Sequence, residues 1–220
     1  MHVPKPYQQQ DQAALINLMR DYPFATLTAY GSAGLEAHHL PVSVIIEDDK
    51  LYLQAHIARV NPLWQTVADG AEVLLVFHGP SGYISPNHYP TKQQTGKAVP
   101  TWNYTAVHAR GQIAFIHDAA WLYSALETLT AEHESKIISA NAPWQMSDAP
   151  KRYVDRLLPA IVGIKVEVTS LTGQWKLSQD KPEVDQQGVI AGLLAQQETA
   201  PPRALVDYMQ ALYPRKSETS

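Results

Sequence analysis

The chain has 220 residues, 45% of them hydrophobic, which is enough for one large domain with a substantial apolar core. With 17 Lys and Arg against 21 Asp and Glu the net charge is −4, so binding to nucleic acid would need a local cationic patch. The absence of cysteine removes disulfides, thiolate zinc sites, thiol catalysis and Cys-ligated iron–sulfur clusters.

Met1 to Asp11 is polar and lacks the apolar stretch of a signal peptide, and no apolar run is long enough for a membrane span. The expectation is a cytoplasmic protein with no membrane partner. Asp11 is placed to cap a helix whose apolar positions Leu15, Ile16, Leu18, Met19 and Tyr22 recur at helical spacing, and Pro23 ends it. Phe24 to Ala29 reads as a strand, followed by a turn around Gly31 and Gly34. Leu35 to Ile46 is one extended stretch, and the acidic turn Glu47 to Lys50 leads into the strand Leu51 to His56. Asn61 as N-cap, Pro62 at the first helical position and Gly70 at the end predict a helix between them. Val73 to His78 is a buried strand. Residues 79–100, with four Pro and three Gly, read as a long functional loop. Trp102 to Ile116 is a strand, bulged near Gly111. A helix runs from Asp118 to about Glu134 and a second helical segment covers Asp148 to Leu158. Ile161 to Leu177 alternates as a strand pair turning at Thr172-Gly173. From Glu183 the tail is helical, breaks at Pro201-Pro202 and resumes. The predicted fold is mainly β with appended helices (α+β), a small barrel in one domain over 1–220. It carries a helical insertion at about 118–160 and a helical tail at about 183–214.

Three constellations could carry chemistry. In Ala55-His56-Ile57-Ala58-Arg59-Val60-Asn61-Pro62, a fixed cation and free helix N–H groups lie between a strand and a helix start. That combination can hold a phosphate without a Gly-rich loop, and an ordinary connection with a surface arginine reads the same way. The second is Gly79-Pro80-Ser81-Gly82-Tyr83-Ile84-Ser85-Pro86-Asn87-His88-Tyr89-Pro90 with Val99-Pro100-Thr101-Trp102-Asn103-Tyr104. Its rings could cover a planar heterocycle while Ser85, Thr101 and Asn103 meet its polar edge; a Pro-pinned loop over a barrel end fits equally. In Gln174-Trp175-Lys176-Leu177-Ser178-Gln179, alternation puts Lys176 and Ser178 on one strand face, toward a ligand or toward solvent. His38 and His39 point to opposite faces and cannot chelate as a pair, so no metal site is expected; a haem-handling barrel is a third reading. No Walker A, G-x-G-x-x-G or G-x-S-x-G motif occurs.

The segments Gly34-Leu35-Glu36-Ala37-His38-His39-Leu40-Pro41, Ala55 to Trp64, Tyr83-Ile84-Ser85-Pro86, Val99 to Tyr104 with Val107-His108, and Trp175 to Gln179 together resemble the PaiB family. That family is described as FMN-binding negative transcriptional regulators, and the resemblance covers the first residues to about Leu194. It implies an FMN-binding split β-barrel related to the pyridoxamine phosphate oxidase group, working as a homodimer with FMN at the subunit interface. By analogy, Arg59 and the helix start at Asn61, beside His56, would meet the phosphate. The strand His38, His39, Leu40, Pro41 would run along the ring system. Ser85, Thr101, Trp102 and Asn103 would contact the ring, and Lys176, Ser178 and Gln179 would close the phosphate or the ring edge. Asp180 departs from the Asn expected after the Ser-Gln pair, and an inward carboxylate there would disfavour phosphate. The implied function is a flavin-dependent redox enzyme or flavin sensor, with an FMN-linked repressor as the alternative. For DNA the candidate helix-turn-helix, Glu183 to Gln197 with a turn near Gly188, carries no Lys or Arg. The remaining cations are Lys151, Arg152 and Arg156, and Arg215 with Lys216.

Overall fold

Local chemistry starts the first helix as its spacing predicts: the Asp11 carboxylate accepts from the Ala13 amide at 2.9 Å. In this computed structural model every residue is described except 33, 138–141, 196–199 and 214–220, and of 200–202 only the backbone. In chain order the elements are β1 (Gln8–Gln9), α1 (Gln12–Asp21), β2 (Phe24–Gly31), β3 (Gly34–Pro41), β4 (Ser43–Glu47), β5 (Lys50–Ala58) and α2 (Leu63–Thr66). There follow β6 (Glu72–Ile84), α3 (Lys92–Thr95), β7 (Thr101–Ile116), α4 (Ala119–Glu134), α5 (Lys151–Leu157), β8 (Ile161–Lys176), α6 (Glu183–Ala195) and α7 (Ala200–Leu212).

Packing divides the chain into two units, each assembled from separated stretches. One comprises Met1–Leu15, His78–Val107 and Thr172–Ser220; the other comprises Ile16–Phe77 and His108–Leu171.

In the second unit the strands run in the order β3-β2-β6-β7-β8-β5-β4. The β2–β3 hairpin pairs Leu27 with His38 and Thr26 with His39, and β5 lies antiparallel to β8 with Ala55 opposite Ile164. Asp48 and Asp49 both take left-handed φ (47° and 61°), so β4 and β5 are joined by a tight two-residue turn. Alternate residues of the strands (Leu27, Leu53, Leu75, Phe77, Ile113, Ile164) form the core with Leu18 and Met19 of α1. A satellite cluster of Leu122, Met146, Val154 and Leu158 packs α4 against α5. Gly163 of β8 gives Trp121 room, because a Cβ there would run into the indole.

In the first unit β1 pairs with the end of β8, Gln8 opposite Gln174 and Gln9 opposite Gly173. Trp175 lies against Tyr208 of α7, with ring centroids 6.1 Å apart.

Several expectations change. Leu35 to Ile46 is two strands, β3 and β4, separated at Val42, whose amide bonds to the Pro23 carbonyl at 3.0 Å. The helix expected from Pro62 to Gly70 is a single turn, α2; the Asn61 side chain still accepts from the Leu63 amide at 3.0 Å, but Val67 is already extended. The 79–100 loop is shorter than expected, since β6 continues to Ile84. Ile161 to Lys176 is one strand, and Gly173 pairs with Gln9 where a turn was expected. Pro201 and Pro202 lie in the first turn of α7, where proline's missing amide costs nothing. Gly188 lies inside the uninterrupted α6, so the described part of the expected helix-turn-helix, Glu183–Ala195, has no turn; its last two residues, Gln196 and Gln197, lie outside the described residues.

Candidate functional site

The first unit carries one set of the expected site residues on β7, β8 and the segment before them. Lys176 donates to the Thr101 hydroxyl at 2.6 Å, and two residues on in each segment Asn103 of β7 donates to the hydroxyl of Ser178, just past the end of β8, at 2.9 Å. Lys176 and Ser178 therefore both turn toward β7. The two rungs differ in access. Asn103 is 0% exposed and Ser178 3%, with Ser178 in a left-handed conformation (φ 71°) and Asn103 also reaching Met209 of α7. Their polar atoms are spent on each other, so this rung supports the strand ends from below. Lys176 and Thr101 are only partly buried, and among the described residues no carboxylate pairs with Lys176. Trp102 points to the other face, 56% exposed, edge-on to the half-exposed ring of Tyr83 at 6.2 Å. Ser85 does not join this group: its hydroxyl caps the turn Pro86–His88 by accepting from the Asn87 amide. Gln179 does not reach outward either, since its amide bonds to the Leu177 N–H (2.7 Å) and the Trp175 carbonyl.

Asp180 is neutralised locally. It pairs with Lys181 at 3.0 Å; burial pushes its carboxyl up, but Lys181 and a hydrogen bond from Tyr7 outweigh this and hold it below the usual carboxylate range. Tyr213 donates to the Leu177 carbonyl at 3.5 Å, and burial, with the Asp180 charge second, pushes its phenol up to about 12.

Sequence reasoning missed how the segment after β6 is held. The carboxylate of Asp185 on α6, 3% exposed, accepts from both the Thr91 amide (3.0 Å) and the Thr91 hydroxyl (2.6 Å). Gly188 and Gly192 lie on the adjoining helix face. A Cβ on Gly188 would meet the His88 carbonyl and Pro90, and one on Gly192 would enter the His88 ring. The readable signal was Asp185, Gly188 and Gly192 at spacings of three and four, a helix face kept small for close approach. Burial lowers the pKa of His88 and keeps its ring neutral against this face.

The second unit holds the other set. Arg59, just past β5, is fixed by the backbone: Nε donates to the Pro159 carbonyl and Nη2 to the Ile161 carbonyl at 2.9 Å, while Nη1 lies 3.2 Å from His117 Nδ1. The Arg59 carbonyl in turn accepts from the Trp64 indole at 2.9 Å. Among the described residues no carboxylate pairs with Arg59, so a rigidly held cation keeps its charge and two N–H bonds for another partner. Asn61 lies 3.2 Å from His38 Nδ1 through its side-chain nitrogen. His38 Nε2 is buried with no hydrogen bond, although Glu36 is 3.4 Å away. His39 faces the opposite side, 3.1 Å from the Thr26 hydroxyl and stacked on Phe24. Leu40 is buried and Pro41 ends β3. His56 lies with Ser43 and Gln54 beneath Trp121 and Leu126 of α4, where burial lowers its pKa and keeps it neutral. It is not brought beside Arg59's free N–H groups by any hydrogen bond among the described residues.

Each unit by itself offers a cation that no carboxylate among the described residues neutralises: Arg59 in the second, suited to an anion, and Lys176 in the first, with the Thr101 hydroxyl on its face and the Trp102 indole on the other.

Comparison with known proteins gives the family. Residues 1–170 match the family model described as "Putative FMN-binding domain". An uncharacterized protein of Emericella nidulans is 32% identical over 225 residues, covering 87% of this chain and 90% of that protein. The Bacillus subtilis "Protease synthase and sporulation protein PAI 2" is 30% identical over 193 residues, covering 88% of this chain and 89% of that protein. Among solved structures, the FAD and heme binding protein from Mycobacterium smegmatis superposes with a TM-score of 0.56 at 13% identity, over 84% of this chain and 80% of that one. The sheet and its helices are thus a split β-barrel, mainly antiparallel strands with appended helices. The chain belongs to the PaiB family of FMN-binding proteins.

Proposed function

We propose that this chain is an FMN-binding protein that works as a flavin-dependent redox enzyme or flavin sensor. The observation that carries the reading is Arg59: a guanidinium immobilised by two backbone carbonyls, with no carboxylate to neutralise it among the described residues. An arginine fixed in that way is organised for a phosphate. Taken by itself, the first unit offers Lys176 and Thr101 on one face for a polar edge of a flavin, with the Asn103–Ser178 pair holding them in place, and the Trp102 indole on the opposite face for a ring. His38, with an unused ring nitrogen, and Asn61 complete the polar set near Arg59. FMN supplies electron-transfer chemistry when bound; the protein supplies position and charge.

The working form in this reading is a homodimer in the cytoplasm. In the second unit Phe24, Tyr30 and Leu35 project from the β2–β3 hairpin at 66%, 76% and 73% exposure, an apolar patch that a second copy would cover. No helix among the described residues is long and apolar enough to cross a membrane.

The repressor alternative draws less support. Lys151 pairs with Asp155 at 2.8 Å and Arg156 turns back to the Arg152 carbonyl, which weakens the only described cationic stretch considered for DNA. Arg215 and Lys216 lie outside the described residues. The absorption spectrum of the purified protein, before and after adding FMN, tests the reading. Flavin bands that the folded protein perturbs are expected. A haem spectrum, or free-flavin bands unchanged by the protein, would refute it.

A further inference from the structure

Within the first unit lies a cleft of about 430 Å³ lined by Tyr89, Thr91, Lys97, Val99, Lys181 and Asp185. Its size is that of a small-molecule site. Its walls are set before any ligand arrives. Thr91 is tied to the buried Asp185 carboxylate by two hydrogen bonds, and the preceding residues His88 and Pro90 are packed onto the glycine face of α6.

The charges around the cleft are not equivalent. Both Asp185 oxygens already accept from Thr91, so Asp185 offers little to an incoming donor. Lys181 shares its charge with Asp180. Lys97 is exposed and has no carboxylate partner among the described residues; its backbone amide is held by the Thr95 hydroxyl at 3.2 Å. The cleft therefore presents ammonium donors and few free acceptors. Tyr89, itself 4% exposed, and Val99, 75% exposed, give it apolar surface. From Val99 the chain passes in two residues to Thr101 and Trp102, the start of β7.

We propose that this cleft binds a small organic acid, an apolar body about the size of one ring with a carboxylate directed at Lys97 and supported by Lys181. As the substrate site of a flavin protein, the assignment rests on the FMN reading above. It assigns no reaction, only the class of molecule that the cleft would hold.

The test uses the full chain loaded with FMN and two single-ring probes of similar size and opposite charge, benzoate and benzylammonium, titrated by calorimetry or NMR. Saturable binding of benzoate, with benzylammonium much weaker, is expected. Lys97→Glu should lower benzoate affinity about tenfold or more, with Lys97→Ala intermediate, as loss of a charge-assisted contact requires. Lys92→Glu should leave it unchanged, because Lys92 lies outside the cleft and bonds to Asn87. Absence of benzoate binding, equal binding of both probes, or an unchanged affinity in Lys97→Glu overturns the assignment. FMN affinity, measured on the same preparations, separates the two claims. Normal FMN binding without benzoate binding removes only the cleft, whereas benzoate binding without FMN binding removes the flavin reading and leaves an organic-acid site.

Discussion

At the scale of single residues, Arg59 has two duties that a substitution would expose together. It pins the end of β5 to the Pro159 and Ile161 carbonyls, and it keeps an unneutralised charge. Arg59→Ala should weaken FMN binding by about tenfold to a hundredfold, the ~1.5–3 kcal/mol of a charge-assisted hydrogen bond. It should also lower the melting temperature of the flavin-free protein, because those two carbonyls lose their donor. Calorimetric titration and thermal melts check both halves, and an unchanged dissociation constant would remove Arg59 from the phosphate. Lys176→Met separates the effects: affinity should fall while flavin-free stability holds, since the ammonium's only described partner is the exposed-side hydroxyl of Thr101. Asn103→Leu should do the reverse, costing about 1–3 kcal/mol of stability by leaving Ser178 unsatisfied in a buried position. The common side of Lys176 and Ser178 was legible from their two-residue spacing. The burial of Asn103 and the inward turn of Gln179 were not, because strand alternation gives a face but not the helix that covers it.

At the scale of elements, α6 is the piece whose role was least readable. Gly188 reads as a turn in the sequence, yet Asp185, Gly188 and Gly192 form a helix face onto which the segment 88–91 is closely packed. Gly192→Ala should force His88 off the helix and free that segment, seen as faster proteolysis near Lys92 and Lys97 with β-sheet circular dichroism retained. Proteolysis at the parental rate would show that the close packing is dispensable. The strands fared differently. The β4–β5 turn and the alternation of β8 were written in acidic and apolar periodicity, whereas the continuity of β6 past Gly79 and Pro80 depends on neighbours far away in sequence. α2 failed to extend because its capping signal was present but its later residues turn toward the sheet, Val67 being buried and extended. Two elements also carry a pH dependence. His56 under α4 and His88 against α6 are both held below the ordinary value of 6.5 by burial. The unfolded chain therefore binds more protons as pH drops. Stability should be level above about pH 6.5 and fall progressively below it, and His56→Gln should reduce that slope in melts taken from pH 8 to 5. A melting temperature that rises toward acid would contradict the assignment.

At the scale of the whole molecule, the account predicts a dimer of about twice the chain mass by light scattering at micromolar concentration, through apolar surface such as Phe24, Tyr30 and Leu35. A monomer that binds FMN with full affinity would contradict it. It also predicts no high-affinity, sequence-selective DNA binding at physiological salt. The net charge is −4 and the Lys151 ammonium is already paired. Nanomolar binding to one duplex over random DNA, lost on substitution of Lys151, Arg152 and Arg156, would restore the repressor reading. The central claim is that this split barrel recognises a flavin through its phosphate. Calorimetric titration of the purified protein with FMN and riboflavin, with FAD as a third ligand, tests it most directly. The account predicts FMN tighter than riboflavin by at least about tenfold, the least that a charge-assisted phosphate contact contributes, and riboflavin binding as tightly as FMN would contradict it.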